Sequence, residues 1–564
     1  MNKITTQLSR AQVSRAAIER LYIAMRHLFI RGSYKPLGMS GEAMIQALLE
    51  LKPEIYGTIT DPEKVELSGL NYIFQRLPQG IEECSYIRLI SREGLEQSGA
   101  AVLIPAKRRR NCYRIDEEQM YIEMTRGKSD IYDVLTHLTF MYIEAEKIRR
   151  NALDHKERKK KDWQKLEVIV QKITNKEKFN KAVAINYLST LIGRTYAETE
   201  ASVNIFDKTP KVNSLYSIVY WLGKLSIAES VDDEDREISF SSTLRSKVGH
   251  HIFGNSWANN IKNTLDKNNL LERPIHVISS NLHSVLNSLF ATHTLQSKLK
   301  SKNFGDTIIK LSQQKDNKLQ ESVRRFALKN GMIELTDDTG VNIGVQIFDC
   351  ASLTNSMLPK SIKFKKEKKK ADNSIIIVMD YAFGEQAYEL MDELLKPYQK
   401  NDEKIKLNIQ SVNVMGKAGI LEGKKGDLMI PSAHVFEGTA DNYPFENKLT
   451  RKQFENSGLG IYDGTMVTVL GTSLQNKDIL RYFAKSSWQA IGLEMEGAHY
   501  QKAIQAASKI RHSIKKDIAL RYAYYASDNP LETGSTLASG GLGVDGVKPT
   551  YEITLAILNG IFSQ

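Results

Sequence analysis

From Ser374 to the C-terminus, short apolar runs alternate with helix-length segments, a pattern that neither an all-helical nor an all-strand fold accommodates. Ser374-Ile375-Ile376-Ile377-Val378-Met379 has the length and composition of a buried strand, and 384–395 is an amphipathic helix stopped by Pro397. Residues 406–415 predict a long strand ending in the glycine-rich turn Gly416-Lys417-Ala418-Gly419. Four further strands are expected at 427–430, 465–470, 490–493 and 518–526, with helices at 496–512 and 550–562. Residues 372–564 therefore read as one α/β domain. In open α/β sheets functional groups collect where strands end. Glu494-Met495-Glu496 and Ala526-Ser527-Asp528 both fall at such ends.

The rest of the chain is organised differently. At 564 residues it exceeds a single core, and it divides into a mainly helical domain over 1–152, a helical domain over 153–270 and a small α/β segment over 271–360. Helical spacing of Val13, Ala17, Leu21, Ala24 and Leu28 before Gly32 marks the first helix, with further helices at 131–152, 163–173 and 214–225. Strand-like pieces occur at 86–90 and 100–104, and the runs 274–279 and 342–348 introduce the α/β segment. That segment is either a separate subdomain or a lead-in that packs against the C-terminal sheet. The chain as a whole is expected to be multidomain, a mainly α-helical N-terminal region joined to a C-terminal α/β domain.

Charge and composition narrow the function classes. Of 78 basic and 66 acidic residues, 372–564 holds 20 and 23, leaving 58 and 43 to residues 1–371. That N-terminal excess allows contact with nucleic acid or an acidic protein surface. The runs at 107–110, 156–161 and 365–370 lack interleaved aromatics, however, and read as solvated helix faces or linkers. No stretch approaches a membrane span and the N-terminus has no signal-like apolar core, so a cytoplasmic protein without membrane contact is expected. Cys84, Cys112 and Cys350 read as core thiols. The spacings of His137, Glu144 and His155 match no compact ligand motif, and no metal or cofactor is expected. Ser280, His283 and Ser284 lack the Gly-x-Ser-x-Gly elbow of a serine hydrolase.

Four segments of the C-terminal third, taken in order, resemble the purine nucleoside phosphorylase and nucleosidase superfamily. They are IIIVMDYAFGEQAYELM, VMGKAGILEGKKGDLMIPSAHVFEG, GLEMEGAHY and YYASDNPL. The whole is similar to methylthioadenosine/adenosylhomocysteine nucleosidases, and the last segment resembles bacterial AMP nucleosidases. The resemblance implies a nucleoside phosphorylase-like fold with a mixed central sheet, and relatives of this fold commonly self-associate, so a homo-oligomer is expected. It makes IIIVM the first strand, with Glu385, or Asp380 in second place, orienting the attacking water. It gives Asp528, with Ser527 beside it, the support of purine protonation at N7, and Glu496 the ribose hydroxyls, with Met495 packed on the sugar. Glu494 is assigned a structural role. The thirty-two positions from Glu496 to Asp528 exceed the family interval and imply an intervening helix longer by about two turns.

The chemistry explains why these residue types are needed. Breaking the C1′–N bond leaves an electron-poor sugar and an electron-rich base, so one acid assists the leaving group while another side chain holds the ribose. Around Gly416 and Gly419 the backbone can approach phosphate or ribose oxygens closely. Phosphorylases of the superfamily often carry an arginine before the glycine-rich turn, whereas this chain has Asn413-Val414-Met415. Water is thus the expected acceptor. Lys417 stands where the family has a small polar residue and favours a purine nucleotide of AMP or ATP type over a neutral nucleoside. A nucleotide-depleting effector fits this reading. The alternatives are a phosphate-dependent salvage phosphorylase and a non-catalytic nucleotide sensor with a basic interaction region. Gly540-Gly541 and Gly543 form either a lid or a simple connection.

Overall fold

The computed structural model describes residues 9–232, 234–301, 303–314, 317–364, 373–532 and 542–563. The lysine run at 365–370 and Gly540-Gly541 lie outside them. The chain divides into two compact units, one of residues 1–250 with 473–479 and one of 251–472 with 480–564. No helix among the described residues is long and apolar enough to cross a membrane.

The first unit departs from the mainly helical expectation for 1–152. It holds a six-stranded sheet built from β1 (Ser33–Tyr34), β2 (Tyr86–Ile90), β3 (Val102–Leu103), β4 (Cys112–Arg114), β5 (Gln119–Glu123) and β6 (Glu237–Phe240), in the order β1-β6-β2-β5-β4-β3. These strands are two to five residues long. Runs that short carry too few alternations to stand out against neighbouring helices. Strand β6 comes from the segment expected to be a separate helical domain, and it pairs in parallel with β2. Residues 153–250 accordingly share a unit with 1–152.

The expected helices are present around that sheet. The first, Arg10–Arg31, starts at a Ser9/Gln12 capping box and ends at Gly32 with φ 99°. Helices Gly127–Ala152, Lys161–Thr174 and Leu215–Val231 pack together, and Gly223 lets them approach. A Cβ there would lie 2.6 Å from the Trp163 ring and 2.8 Å from Ile148. The 107–110 run is not wholly a solvated face. Arg110 is buried, with its guanidinium 2.8 Å from Asp130 and 2.7 Å from Asp133, and Arg108 also pairs with Asp133. A buried charge is tolerated only when paired in this way. Of the three residues weighed as metal ligands, Glu144 pairs with Lys147 at 2.9 Å and His137 sits 3.4 Å from Asp133. All three cysteines are buried, and burial pushes the Cys84 and Cys112 thiols up to about 12.

In the second unit one sheet gathers β7 (Ile275–Ser279), β8 (Met332–Leu335), β9 (Val345–Asp349), β10 (Ile375–Met379), β13 (Ile409–Ile420), β14 (Leu428–Phe436), β15 (Asn442–Pro444), β16 (Ile461–Thr468), β17 (Ala490–Glu494) and β18 (Ala519–Asp528). A separate hairpin joins β11 (Tyr398–Lys400) to β12 (Glu403–Ile405). The sheet mixes parallel and antiparallel pairs, as the resemblance implies. Segment 271–360 is not a subdomain of its own, because β7 lies between β10 and β13 and is parallel to both. It follows that β7, not the IIIVM strand, is the first strand of this sheet. Strands β13, β18, β14, β16 and β17 also pair in a closed ring.

Gly416 to Gly419 form no turn. Strand β13 runs through them, with a register shift at Ala418/Gly419. Gly416 faces Tyr524 across β18, and a Cβ on it would fall 2.7 Å from the Tyr524 ring. The glycine is needed for side-chain packing rather than for chain reversal.

Gly223→Ala is expected to lower the stability of the first unit by about 1–3 kcal/mol, the usual cost of overpacking. Equilibrium urea unfolding of the full chain measures it, and an unchanged midpoint would contradict the close three-helix packing.

Candidate active site

Strand β13 organises the site because one of its edges has two successive partners. Residues Ile409 to Val414 pair with β7, whose last residue Ser279 lies opposite Val414. The same strand then pairs with β17 at Gly419↔Leu493 and Ile420↔Gly492. Between these stretches, among the described residues, Met415 to Ala418 have no β7 or β17 register partner. Strand β18 runs in parallel with β13 from Ser411 onward and reaches Gly419↔Asp528. Gly419 thus has the end of β17 and the end of β18 as register neighbours. The backbone alone brings Glu494-Met495-Glu496 and Ser527-Asp528 to one edge.

At the β17 end, Glu494 is buried and works as an internal cap. Its Oε2 accepts the Glu496 N–H at 2.6 Å and the Gly497 N–H, while the Thr468 hydroxyl donates to Oε1. Thr468 Oγ1 in turn accepts the Ala498 N–H at 2.9 Å. These bonds satisfy the exposed amides that begin helix Gly497–Gln505 and fix the corner from which Glu496 projects. Desolvation pushes the Glu494 carboxyl up to about 7, against the lowering effect of its donors. Glu494 is therefore the structural member of the pair, and Glu496 is the partly exposed one.

Glu496 reaches across to the loop after β10. Its Oε1 accepts the Gly384 N–H at 3.0 Å, which places Glu385, the residue preceding helix Gln386–Leu394, one position from that contact. Asp380, at the other end of the same loop, accepts the Tyr381 N–H at 2.9 Å. At the β18 end, the Ser527 hydroxyl lies 3.0 Å from the Ala418 carbonyl and also hydrogen-bonds the Asp528 carboxylate. Both residues are buried, and Met495 is half-buried. The helical segment after Glu496 continues to Ile510, its last five residues in π-helical form.

Two faces of the sheet meet this edge. On one, Tyr524 donates or accepts at 3.0 Å with the buried His434 Nε2, and Tyr500 lies 2.8 Å from the Ser279 hydroxyl. Gly497 fits only because it lacks a side chain, since a Cβ would be 2.2 Å from His434 and 2.7 Å from the Tyr524 oxygen. Burial holds His434 down to about 3, so the imidazole is neutral at physiological pH. These supports went unnoticed in the sequence, where only the alternation of Tyr522 and Tyr524 within β18 hints at a shared face. The other face packs against helix Val547–Phe562. There Lys417 and its register neighbour Tyr525 line a cavity of about 550 Å³. Lys417 is exposed and, among the described residues, has no ion-pair partner.

The family of unknown function DUF6909 matches residues 42–301 and 292–563, and the chain belongs to that family. No curated protein matches it. Similar solved structures include a futalosine hydrolase mutant of Helicobacter pylori strain 26695, at 11% identity, covering 51% of this chain and 98% of that one with a TM-score of 0.30. A Campylobacter jejuni 5′-methylthioadenosine/S-adenosyl homocysteine nucleosidase matches at 11% identity, over 52% of this chain and 97% of its own, with a TM-score of 0.29. An Arabidopsis thaliana 5′-methylthioadenosine nucleosidase in apo form matches at 12% identity, over 52% and 96%, with a TM-score of 0.30.

Glu494 gives stability a pH signature. The unfolded carboxyl loses its proton near 4.5 and the folded one near 7, so between those values the folded state binds more protons. The contribution of this group is complete below pH 4.5 and is lost as pH rises through 7. Glu494→Gln is expected to flatten that slope in urea midpoints measured across the window, and a slope identical to wild type would contradict the assignment.

Proposed function

We propose that the second unit is a purine N-glycosidase that uses water to release the free base from a nucleotide of AMP or ATP type. The observation that carries the reading is the position of Gly419 between Leu493 and Asp528, because it delivers two carboxylates with different surroundings to one edge. Glu496 is partly exposed and already accepts a backbone N–H, as a group that takes ribose hydroxyls needs to be. Asp528 is buried, and its Ser527 hydrogen bond holds the carboxylate at the end of β18.

In the proposed reaction the C1′–N9 bond breaks, its electron pair passes to the purine and a proton arrives at N7 with Asp528 in support. Water then adds to C1′ and gives up one proton, which balances the one taken up at N7, its oxygen remaining on the sugar, so that the phosphorylated ribose and the free base are the products. Glu496 stabilises the cationic sugar by accepting from its 2′- and 3′-hydroxyls, and Met495 covers the ribose. Glu385 is the proposed orienter of the water, through its place beside the Gly384–Glu496 contact. Assistance to the leaving group is worth about 10²- to 10⁴-fold. Lys417 supports a charged substrate, because an exposed cation with no ion-pair partner among the described residues is available to a phosphate.

Asp528→Asn is expected to lower free-base release by about 100-fold or more, read by chromatography of an ATP, AMP and adenosine mixture. Release at the wild-type rate by the variant would refute the role given to Asp528.

A further inference from the structure

The glycosidase reading leaves the basic run Lys107-Arg108-Arg109-Arg110 of the first unit without a task. Its loop is laid on the chain that leaves helix Leu67–Phe74. The Lys107 N–H donates to the Gln75 carbonyl at 2.8 Å, and Arg110 Nη1 donates to the Arg76 carbonyl at 3.2 Å. Arg76 therefore joins Lys107, Arg108 and Arg110 in one cluster. Against these four cations helix Gly127–Ala152 sets Asp130 and Asp133, and both are engaged, Asp130 by Arg110 and Asp133 by Arg108 and Arg110. His137, one turn beyond Asp133, adds no charge, because burial holds it down to about 3.

Arg76 is the exception in this cluster. It is 6% exposed, yet among the described residues no carboxylate pairs with it, Asp133 being held by Arg108 and Arg110. Its Nη1 donates to the Tyr72 carbonyl at 2.9 Å, and its guanidinium carbon lies 3.4 Å over the Tyr72 ring. Its Nε is buried with no hydrogen-bond partner. Stacking fixes the plane of the fork but does not neutralise it. Buried charges are otherwise paired, as Arg108 and Arg110 are here. Lys107 is exposed, has no ion-pair partner among the described residues, and has its ammonium pushed down by burial and then by the charge of Arg76. One cation fixed by stacking and one at the surface are thus left unmatched. A carboxylate would balance one of them, whereas a phosphomonoester, with a charge of about −2, balances both and accepts from an arginine fork side-on.

We propose that Arg76 and Lys107 form a binding site for a phosphate dianion in the first unit, with Arg76 Nε and the Lys107 ammonium as donors. The ion pairs of Arg108 and Arg110 with the two aspartates are its frame. The dianion has two sources, the inorganic ion and a small phosphorylated molecule. Either gives the basic excess of residues 1–371 a small partner in place of nucleic acid. The site stands or falls apart from the glycosidase reading, since none of its residues belongs to the second unit.

Isothermal titration at fixed ionic strength tests the site, using the full chain with Lys417→Gln so that a phosphate held at Lys417 does not contribute. The probes are inorganic phosphate, glycerol 3-phosphate and a single-stranded oligonucleotide without terminal phosphates. The expected result is saturable binding of inorganic phosphate or glycerol 3-phosphate. Adding Arg76→Gln is expected to weaken it by about ten- to a hundredfold, and adding Lys107→Gln by about three- to tenfold. Tighter binding of glycerol 3-phosphate assigns a phosphorylated molecule, and equal or tighter binding of inorganic phosphate assigns the free ion. Lys107 is exposed, so its variant reads the site even where Arg76→Gln loses stability. Phosphate is also expected to raise the urea midpoint of the Lys417→Gln chain but not of the chain that also carries Arg76→Gln, a difference that a merely structural arginine would not produce. The site is overturned if neither phosphate probe binds, if both bind unchanged in the Arg76 and Lys107 variants, or if the oligonucleotide alone binds.

Discussion

The second unit depends on one strand changing partners. Along a single edge of β13 the hydrogen-bonding register passes from β7 to β17, and the passage leaves Met415 to Ala418 without a β7 or β17 register partner among the described residues. Backbone groups exposed in the interior of a sheet are costly unless something satisfies them. Here the Ala418 carbonyl meets the Ser527 hydroxyl, and the register shift next to it lets β18 reach Asp528 beside Gly419. The break in the ladder and the convergence of Glu496 and Asp528 are one structural event.

Rigidity around that break comes from buried polar groups whose partners are supplied locally. Glu494 gathers two amides and a hydroxyl at the β17 corner, which converts a carboxylate that burial disfavours into a cap for the following helix. His434 and Tyr524 form a second buried pair beneath Gly497, neutral on both sides and therefore inexpensive to desolvate. Gly416 has no room for a methyl group because of the Tyr524 ring, and Gly497 has none because of His434 and the Tyr524 hydroxyl. The proposed chemistry thus occupies an edge whose supporting face is fixed by aromatic packing, while the opposite face opens to the Lys417 cavity.

Local patterns in the sequence were legible where the signal was local. The apolar run of β10, the Glu494-Met495-Glu496 corner and the Asp528 strand end all sit where alternation and composition put them. Gly416 to Gly419 misled because glycine and lysine have turn composition, and only the Tyr524 ring, more than a hundred residues on, shows that the glycine serves a strand. The place of β7 was hidden for the same reason, since strand order depends on pairing and not on spacing. Arg110 read as solvated because its partners Asp130 and Asp133 lie on a helix some twenty residues away. The first sheet was missed because strands of two to five residues carry almost no periodicity.

The central claim is that Glu496 and Asp528 act on the same bond from one edge. A double-mutant cycle on the rate of purine release, comparing wild type, Glu496→Gln, Asp528→Asn and the pair, measures that directly. The account predicts strong non-additivity, with the double variant little slower than the slower single variant, because either loss leaves the other carboxylate without a transition state to serve. Fully additive effects, or purine release that persists undiminished in all three variants, would contradict it.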